Sequence, residues 1–514
     1  MATLTRISHM CRGDVAHAQV RAALAPAALA PAAPRLISAH WRRVDSMSGL
    51  GVARSGDAAR TSACATTSGL KHVVLFLLVM SSGWAQTTIL DRTLPGGAPA
   101  GTADSFSRHA SDLQQQGHSE EAEAEFRRAI NACRETKCTF LAMILNNLGC
   151  LFHSMARYRE AESFLQQAID ASREDGQSAA FLPIAVVNLA KVYRAEARYA
   201  EAGQLYERAL KLRRDDSATA AKEVPRLLIH MAALAQDRGD PPRAEELIRE
   251  AVAGFRSDGS LESPDGLIAM VNLGAILASE GKFAEAEAAE RSALGVYRTQ
   301  PPGPDFATAL NTLGNVMAVS GRPKEAEPLL REAVTVWENL LGSDHPSVAS
   351  GLMNLGTVLQ ARHRYGEAEV AMNRASRIDA RSFPAGHPRI AMDLNKQAGL
   401  LMARKRYREA EELLLRAAAI LEQRLPTADP ELGQTLANLG ELYHLEKRLP
   451  ESRENFARGI KMLIAAWGPL DRRLLTWLDN YAAVLRAAEE FAEAGKLELQ
   501  ATRIRVIDAR RRAG

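Results

Sequence analysis

Between Pro346 and Ile378 two amphipathic runs flank a short break. Leu352, Leu355, Gly356 and Leu359 recur at intervals of three and four residues, and beyond the break Tyr365, Ala368, Met372 and Ala375 do the same. Apolar residues at this spacing share one face of an α-helix. The intervening ARHRYGEA carries no alternating strand pattern, so the segment predicts an antiparallel helical hairpin. A single hairpin cannot bury its own apolar face and must stack on further copies.

Those copies are present. Ala110, Gly149, Ala190, Ala232, Gly274, Gly314, Gly356, Ala398, Gly440 and Ala482 form one column with a period close to that of the segment above. A second column follows at Ala122, Ala161, Ala202, Ala244, Ala286, Ala326, Ala368, Ala410, Ser452 and Ala494, and a third at Ala129, Ala168, Ala209, Ala251, Ala293, Ala333, Ala375, Ala417, Gly459 and Ala501. Every member is Ala, Gly or Ser, while large residues such as Leu145, Leu310, Leu352, Leu394 and Leu436 stand between the columns. Large against small lets neighbouring helices interdigitate. Tyr158, Tyr199, Phe283, Tyr365, Tyr407 and Phe491 are placed to plug the turn within each hairpin, and Pro264, Pro304, Pro346, Pro388 and Pro430 to start the next one. The pattern predicts an all-α solenoid of about ten helix pairs over residues 104–502, preceded by a linker at 86–103 and followed by a basic C-terminal cap at 503–514.

With its three columns, its NLG and YxEAE motifs and loops such as LGSDHP at Leu341–Pro346 and AGHP at Ala385–Pro388, the chain resembles the tetratricopeptide repeat (TPR) family. The period near 42 residues resembles the kinesin-light-chain subclass. The resemblance implies a right-handed α-α superhelix and a binding surface rather than a particular process, because the family serves many. Departures fall in the fourth copy, RGDPPRAEE at Arg238–Glu246, and in the ninth, at Pro450 and Ser452, where a change of curvature is expected.

Residues 1–46 contain the low-complexity run AALAPAALAPAAP and no periodic face. VVLFLLVM at Val73–Met80 follows Lys71 and His72 and precedes Gly83 and Ala85, the layout of a secretory signal peptide cleaved near Ala85. A signal this far from residue 1 suggests that translation starts at Met47, giving a signal peptide over 47–85 and an exported chain, periplasmic or secreted; a cytoplasmic chain is the alternative. The apolar run is too short for a stable membrane span.

Composition narrows the function. Aromatic residues are 5% of the chain, which suits closely stacked helices better than a sheet core. The net charge of +3 comes from the leader, since the first 85 residues hold nine basic and three acidic residues, so nothing marks a nucleic-acid binder. Cysteines at 11, 64, 133, 138 and 150 have no paired zinc spacing. Phosphate-loop, zincin and nucleophile-elbow motifs are absent from the sequence. No cofactor, metal or catalytic residue is expected.

Two residues before the first column stand Asn147, Asn188, Asn272, Asn354, Asn438 and Asn480, with Asn311 and Asn395 one place earlier in two copies. The family resemblance implies that this position looks into the concave groove, where amides can pair with the backbone of an extended peptide. The alternative is that each Asn satisfies a neighbouring helix. At about 0.5–1.5 kcal/mol per hydrogen bond, six amides would contribute only part of an affinity. Cys133 and Cys138 are placed to form a local disulfide in an exported chain, and Cys150 is expected to be a buried small residue. His345 and His387, a full repeat apart, are expected to stabilise loops. The sequence reading is a non-catalytic scaffold for a protein or peptide partner, with a self-associating assembly scaffold of the cell envelope as the alternative.

Overall fold

The computed structural model describes residues 102–513, apart from 116–117, 175–180, 197, 216–219 and 424–428. The leader and signal segment lie outside the described residues. Among the described residues twenty α-helices follow one another in ten hairpins. They are α1 Ala103–Gln115, α2 Ser119–Thr136, α3 Leu141–Ser154, α4 Tyr158–Glu174, α5 Leu182–Ala195, α6 Tyr199–Asp215, α7 Ala220–Asp237, α8 Pro241–Ser257, α9 Pro264–Ser279 and α10 Phe283–Tyr297. The second half comprises α11 Pro304–Val319, α12 Pro323–Leu341, α13 Pro346–Ala361, α14 Tyr365–Ser382, α15 Pro388–Ala403, α16 Tyr407–Glu422, α17 Pro430–Leu445, α18 Leu449–Trp467, α19 Leu475–Ala487 and α20 Phe491–Ala513. Odd-numbered helices are the first (A) helix of each repeat and even-numbered ones the second (B). Helix α20 passes 502–503 without a break and buries Ile504, so the basic C-terminal segment is the end of the last helix.

Local chemistry sets the helix ends. The five punctuating prolines are the first residues of α9, α11, α13, α15 and α17, where a missing N–H costs no helical hydrogen bond. Ser263, His345, His387 and Asp429 precede four of them and accept from backbone N–H groups of the first turn. For His345 and His387 the acceptor is Nδ1, at 3.2 and 3.0 Å. Burial pushes the His345 pKa down to about 4, which keeps the ring neutral and able to accept.

The columns are the packing surface. Every alanine of the second and third columns is 0% exposed. A Cβ added at Gly149, Gly314, Gly356 or Gly440 would lie within 2.8 Å of Leu165, Leu330, Met372 or Phe456, so the facing B helix seats a large side chain on the bare backbone. At Ser452, where the alanine pattern breaks, the hydroxyl donates to the Gly440 carbonyl at 2.6 Å.

Each B helix packs on its own A helix and on the next, and A helices of successive repeats also touch, as in α9 on α11 and α13 on α15. The A helices therefore make the inner layer. Helix α13 is buried on every side from Pro346 to Gln360, whereas α14 buries a stripe through Ala368, Met372, Ala375 and Ile378.

An ion-pair ladder ties the repeats at their turn edge. Arg198, Arg322, Arg364, Arg406 and Arg448 each precede a B helix and reach Glu162, Glu287, Glu327, Glu369 and Glu411 of the preceding repeat at 2.6–3.1 Å. Each also pairs with the Glu three residues on, as Arg157 does with Glu160 while it reaches Glu123. Lys282 plays the part for Glu245 in repeat 5, and at the last joint the charges are exchanged, Arg453 meeting Glu490 at 2.7 Å. These half-exposed pairs are individually weak, about 0.2–1 kcal/mol.

The superhelix comes round on itself five or six repeats later. The Nε2 of His387, at the start of repeat 8, lies 3.3 Å from the carbonyl oxygen of Ser154 in repeat 2. Arg472 Nη1 donates to the Ser279 carbonyl at 3.2 Å, and Arg473 Nη2 to the Gln236 carbonyl at 3.4 Å. All three acceptors lie at the C-terminal ends of A helices.

Candidate functional site

The inner layer carries the asparagine column, and the structure divides it. Asn188 Nδ2 donates to Asn146 Oδ1 at 2.8 Å, Asn354 Nδ2 to Asn311 Oδ1 at 3.0 Å and Asn438 Nδ2 to Asn395 Oδ1 at 3.2 Å. In each case the column residue of one repeat reaches the residue one place before the column in the repeat ahead of it. All three donors are at most 6% exposed. Part of the hydrogen-bonding capacity expected to serve a ligand is thus spent between neighbouring A helices. Asn147, 1% exposed, accepts from Asn146 Nδ2 at 3.3 Å and joins the same chain.

Asn272 differs. It is 0% exposed and neither of its amide atoms has a hydrogen-bond partner. Asn315, on the adjacent inner helix α11 and one residue after Gly314, is in the same state. Asn480 in α19 is half-buried and its Nδ2 is likewise without a partner. Repeat 4 places His230 at the column position, where its ring stacks on Tyr206 with centroids 6.2 Å apart.

Repeat 5 holds a second anomaly beside Asn272. A Cβ at Gly274 would lie 2.6 Å from Oε1 of Glu290, so a carboxyl occupies the place that Leu165, Leu330, Met372 and Phe456 fill elsewhere. Glu290 is 0% exposed and neither oxygen is hydrogen-bonded. Burial pushes its pKa well above the ordinary carboxylate range, which favours the neutral acid.

At the joint of repeats 7 and 8 the column residue is Lys396, whose Nζ donates to Asn354 Oδ1 at 3.2 Å. Nearby, Arg389 Nε donates to Asp379 Oδ2 at 2.7 Å and its Nη2 to Ser350 Oγ at 2.6 Å. Asp393 lies 4.0 Å from Arg389 Nε. All four ionisable groups are at most 2% exposed. Burial, then the neighbouring Asp379, raises the Asp393 pKa, while burial, then Arg389, lowers that of Lys396. The sequence gives little warning of this network, because Arg389 and Asp393 look like ordinary solvated positions.

Cys133 and Cys138 form a disulfide with Cα atoms 4.9 Å apart, tying the end of α2 to the turn beyond Lys137. Cys150 in α3 is 5% exposed. Among the described residues no group of three or more His, Cys, Asp or Glu could hold a metal ion, and no helix is long and apolar enough to cross a membrane.

Two tetratricopeptide repeat profiles match the chain, one over residues 101–174, 223–299, 305–381 and 389–465 and the other over 185–218. The chain belongs to the tetratricopeptide repeat family. A comparison with curated protein sequences finds no match. Among solved structures, the TPR chain is similar to a Podosopora anserina kinesin light chain with nearly identical TPR-like repeats, at 22% identity and TM-score 0.33, over 40% of this chain and 97% of that one. It is also similar to BtubC (BKLC) from P. vanneervenii, at 21% identity and TM-score 0.35, over 45% and 91% of the two chains. A Rap protein complexed with Competence and Sporulation Factor matches at 14% identity and TM-score 0.44, over 64% and 99%. These likenesses concern the fold. TPR arrays are scaffolds for contact with other proteins, and the ten hairpins place this chain among them.

Proposed function

We propose that this TPR chain is a non-catalytic scaffold that holds an extended segment of a protein partner against its inner helices, centred on repeats 5 and 6. The observation that carries the reading is the pair Asn272 and Asn315. Both are buried with unpaired amides, whereas the column residues Asn188, Asn354 and Asn438 each bond an asparagine on the A helix of the preceding repeat. A buried unpaired polar group costs about 1–3 kcal/mol. An extended backbone presents alternating N–H and C=O groups and can satisfy both atoms of an amide. Two asparagines supply only a small part of an affinity, so the partner must also place side chains between the A helices. The reading assigns no catalytic step and no cofactor. It includes action after export, which the Cys133–Cys138 disulfide supports; an intact residue 1 on N-terminal sequencing would oppose that part.

The test is selection of peptides from a displayed random library on the full chain, followed by amide exchange of the complex. Protection of α9 and α11 is expected. Selected peptides that protect only the outer helices would contradict the reading. Self-association is the second reading, favoured by Phe491, Leu499 and Val506, which are 45–60% exposed on α20. A light-scattering mass that rises with concentration would support it.

A further inference from the structure

We infer that the contacts between successive turns of the superhelix form a latch that holds the solenoid closed and that opens to admit a partner. The first observation is Gly239. The residue seven places after the first column has a left-handed backbone in every described repeat from the second on, as Ala156, Gly239, Gly281, Gly321, His363, Lys405, Lys447 and Glu489. Five of these are not glycine, so the turn itself tolerates a side chain. What singles out Gly239 is its surroundings. A Cβ there would collide with the Trp467 carbonyl oxygen and stand 2.9 Å from Asp471 Oδ2, both on the far turn. Gly321, with the same backbone, has open space around it.

The second observation is the chemistry of the seam. Arg472 and Arg473 donate to carbonyls at the C-terminal ends of α9 and α7, where the helix dipole places partial negative charge. Arg473 is pre-set for this: Asp471 grips its Nε at 3.0 Å and Nη2 at 2.8 Å, and its guanidinium lies 4.3 Å over the Trp467 ring. His387 meets the end of α3 in the same way, and its Nδ1 accepts the cap hydrogen bond, which leaves Nε2–H as the donor. The seam is also incomplete. Between the two turns lies a cavity of about 450 Å³ lined by Pro241, Glu245, Trp467, Arg472, Ile504 and Ile507. A few directional polar contacts around a void can part at little loss of apolar burial, unlike the joints between successive repeats, which bury the alanine columns.

The latch is independent of any occupant; that it controls access to the inner helices rests on the function proposed above. Small-angle scattering of the full chain tests it without a partner. Gly239→Lys introduces the residue that repeats 8 and 9 hold at this turn, and Gly321→Lys makes the same change where nothing faces it. The maximum dimension should rise by about a helix diameter, roughly 10 Å, for Gly239→Lys and for the double variant R472E/R473E, and stay unchanged for Gly321→Lys. Profiles of both seam variants that superimpose on the wild type would overturn the latch. Should Gly239→Lys fail to fold, the double variant, which leaves every backbone conformation permitted, decides alone.

Discussion

Repeats 8–9 and repeats 5–6 treat their inner-layer asparagines in opposite ways. At the joint of repeats 8 and 9, Asn438 donates to Asn395, and Asn395 donates to Thr435 at 2.8 Å. In repeats 5 and 6, Asn272 and Asn315 are buried without partners, and Glu290 adds a buried carboxyl where its counterparts are Leu, Met and Phe. The first region pairs its own asparagines, although Asp393 and Gln434 of the same two repeats keep buried atoms without partners. The second leaves both asparagines unpaired, a deficit that contributes nothing to its own stability.

The largest effect is expected in repeat 8. Arg389→Ala leaves Asp379 and Asp393 buried without their cation, and should cost about 3–5 kcal/mol in the local stability of α13–α15, read by amide exchange. A loss below about 1 kcal/mol would show that the network is not holding that joint. Next comes Glu441, whose pKa burial pushes up to about 7 from an ordinary 4.5. Below 4.5 folded and unfolded chains both hold this proton. As pH rises toward 7 the unfolded chain releases it first, so stability falls across that window, by about 3 kcal/mol in all, and then levels. Glu441→Gln should remove this slope from denaturation midpoints taken across the window, and an unchanged slope would assign it elsewhere.

Smaller effects sharpen the other end. Glu290→Leu restores the side-chain type that faces the column glycine elsewhere and should stabilise α9–α10 by about 1–3 kcal/mol near neutral pH. Destabilisation would mean that the carboxyl has a partner. Smallest is the asparagine contrast. Asn438→Ala should cost about 1–2 kcal/mol because it strands the Asn395 amide oxygen, whereas Asn272→Ala should leave the melting temperature unchanged or slightly raised. Equal losses would erase the distinction between the two regions.

Much of this fold was legible from spacing alone. The small-residue columns predicted both helices of each hairpin, and the prolines marked where the A helices begin, because helix period and capping are local properties. The ion-pair ladder was also within reach: an Arg or Lys stands just before the YxEA motif in several copies, with Glu three residues later and another in the preceding repeat. What could not be read was which asparagines were already spent. Asn188 and Asn146 are paired by the offset between stacked helices, and that offset is a property of the joint, not of either sequence window. The contact of Arg473 with Gln236 lay further out of reach, since it depends on a small rotation accumulated over six repeats.

The proposed division of labour gives Asn272 to a partner and Asn354 to the scaffold. Its most direct test is the affinity of one selected peptide for the wild-type chain and for Asn272→Ala, measured by isothermal titration with melting temperatures alongside. We predict a loss of roughly tenfold, corresponding to one or two hydrogen bonds, at an unchanged melting temperature. Unchanged affinity for Asn272→Ala would contradict the claim.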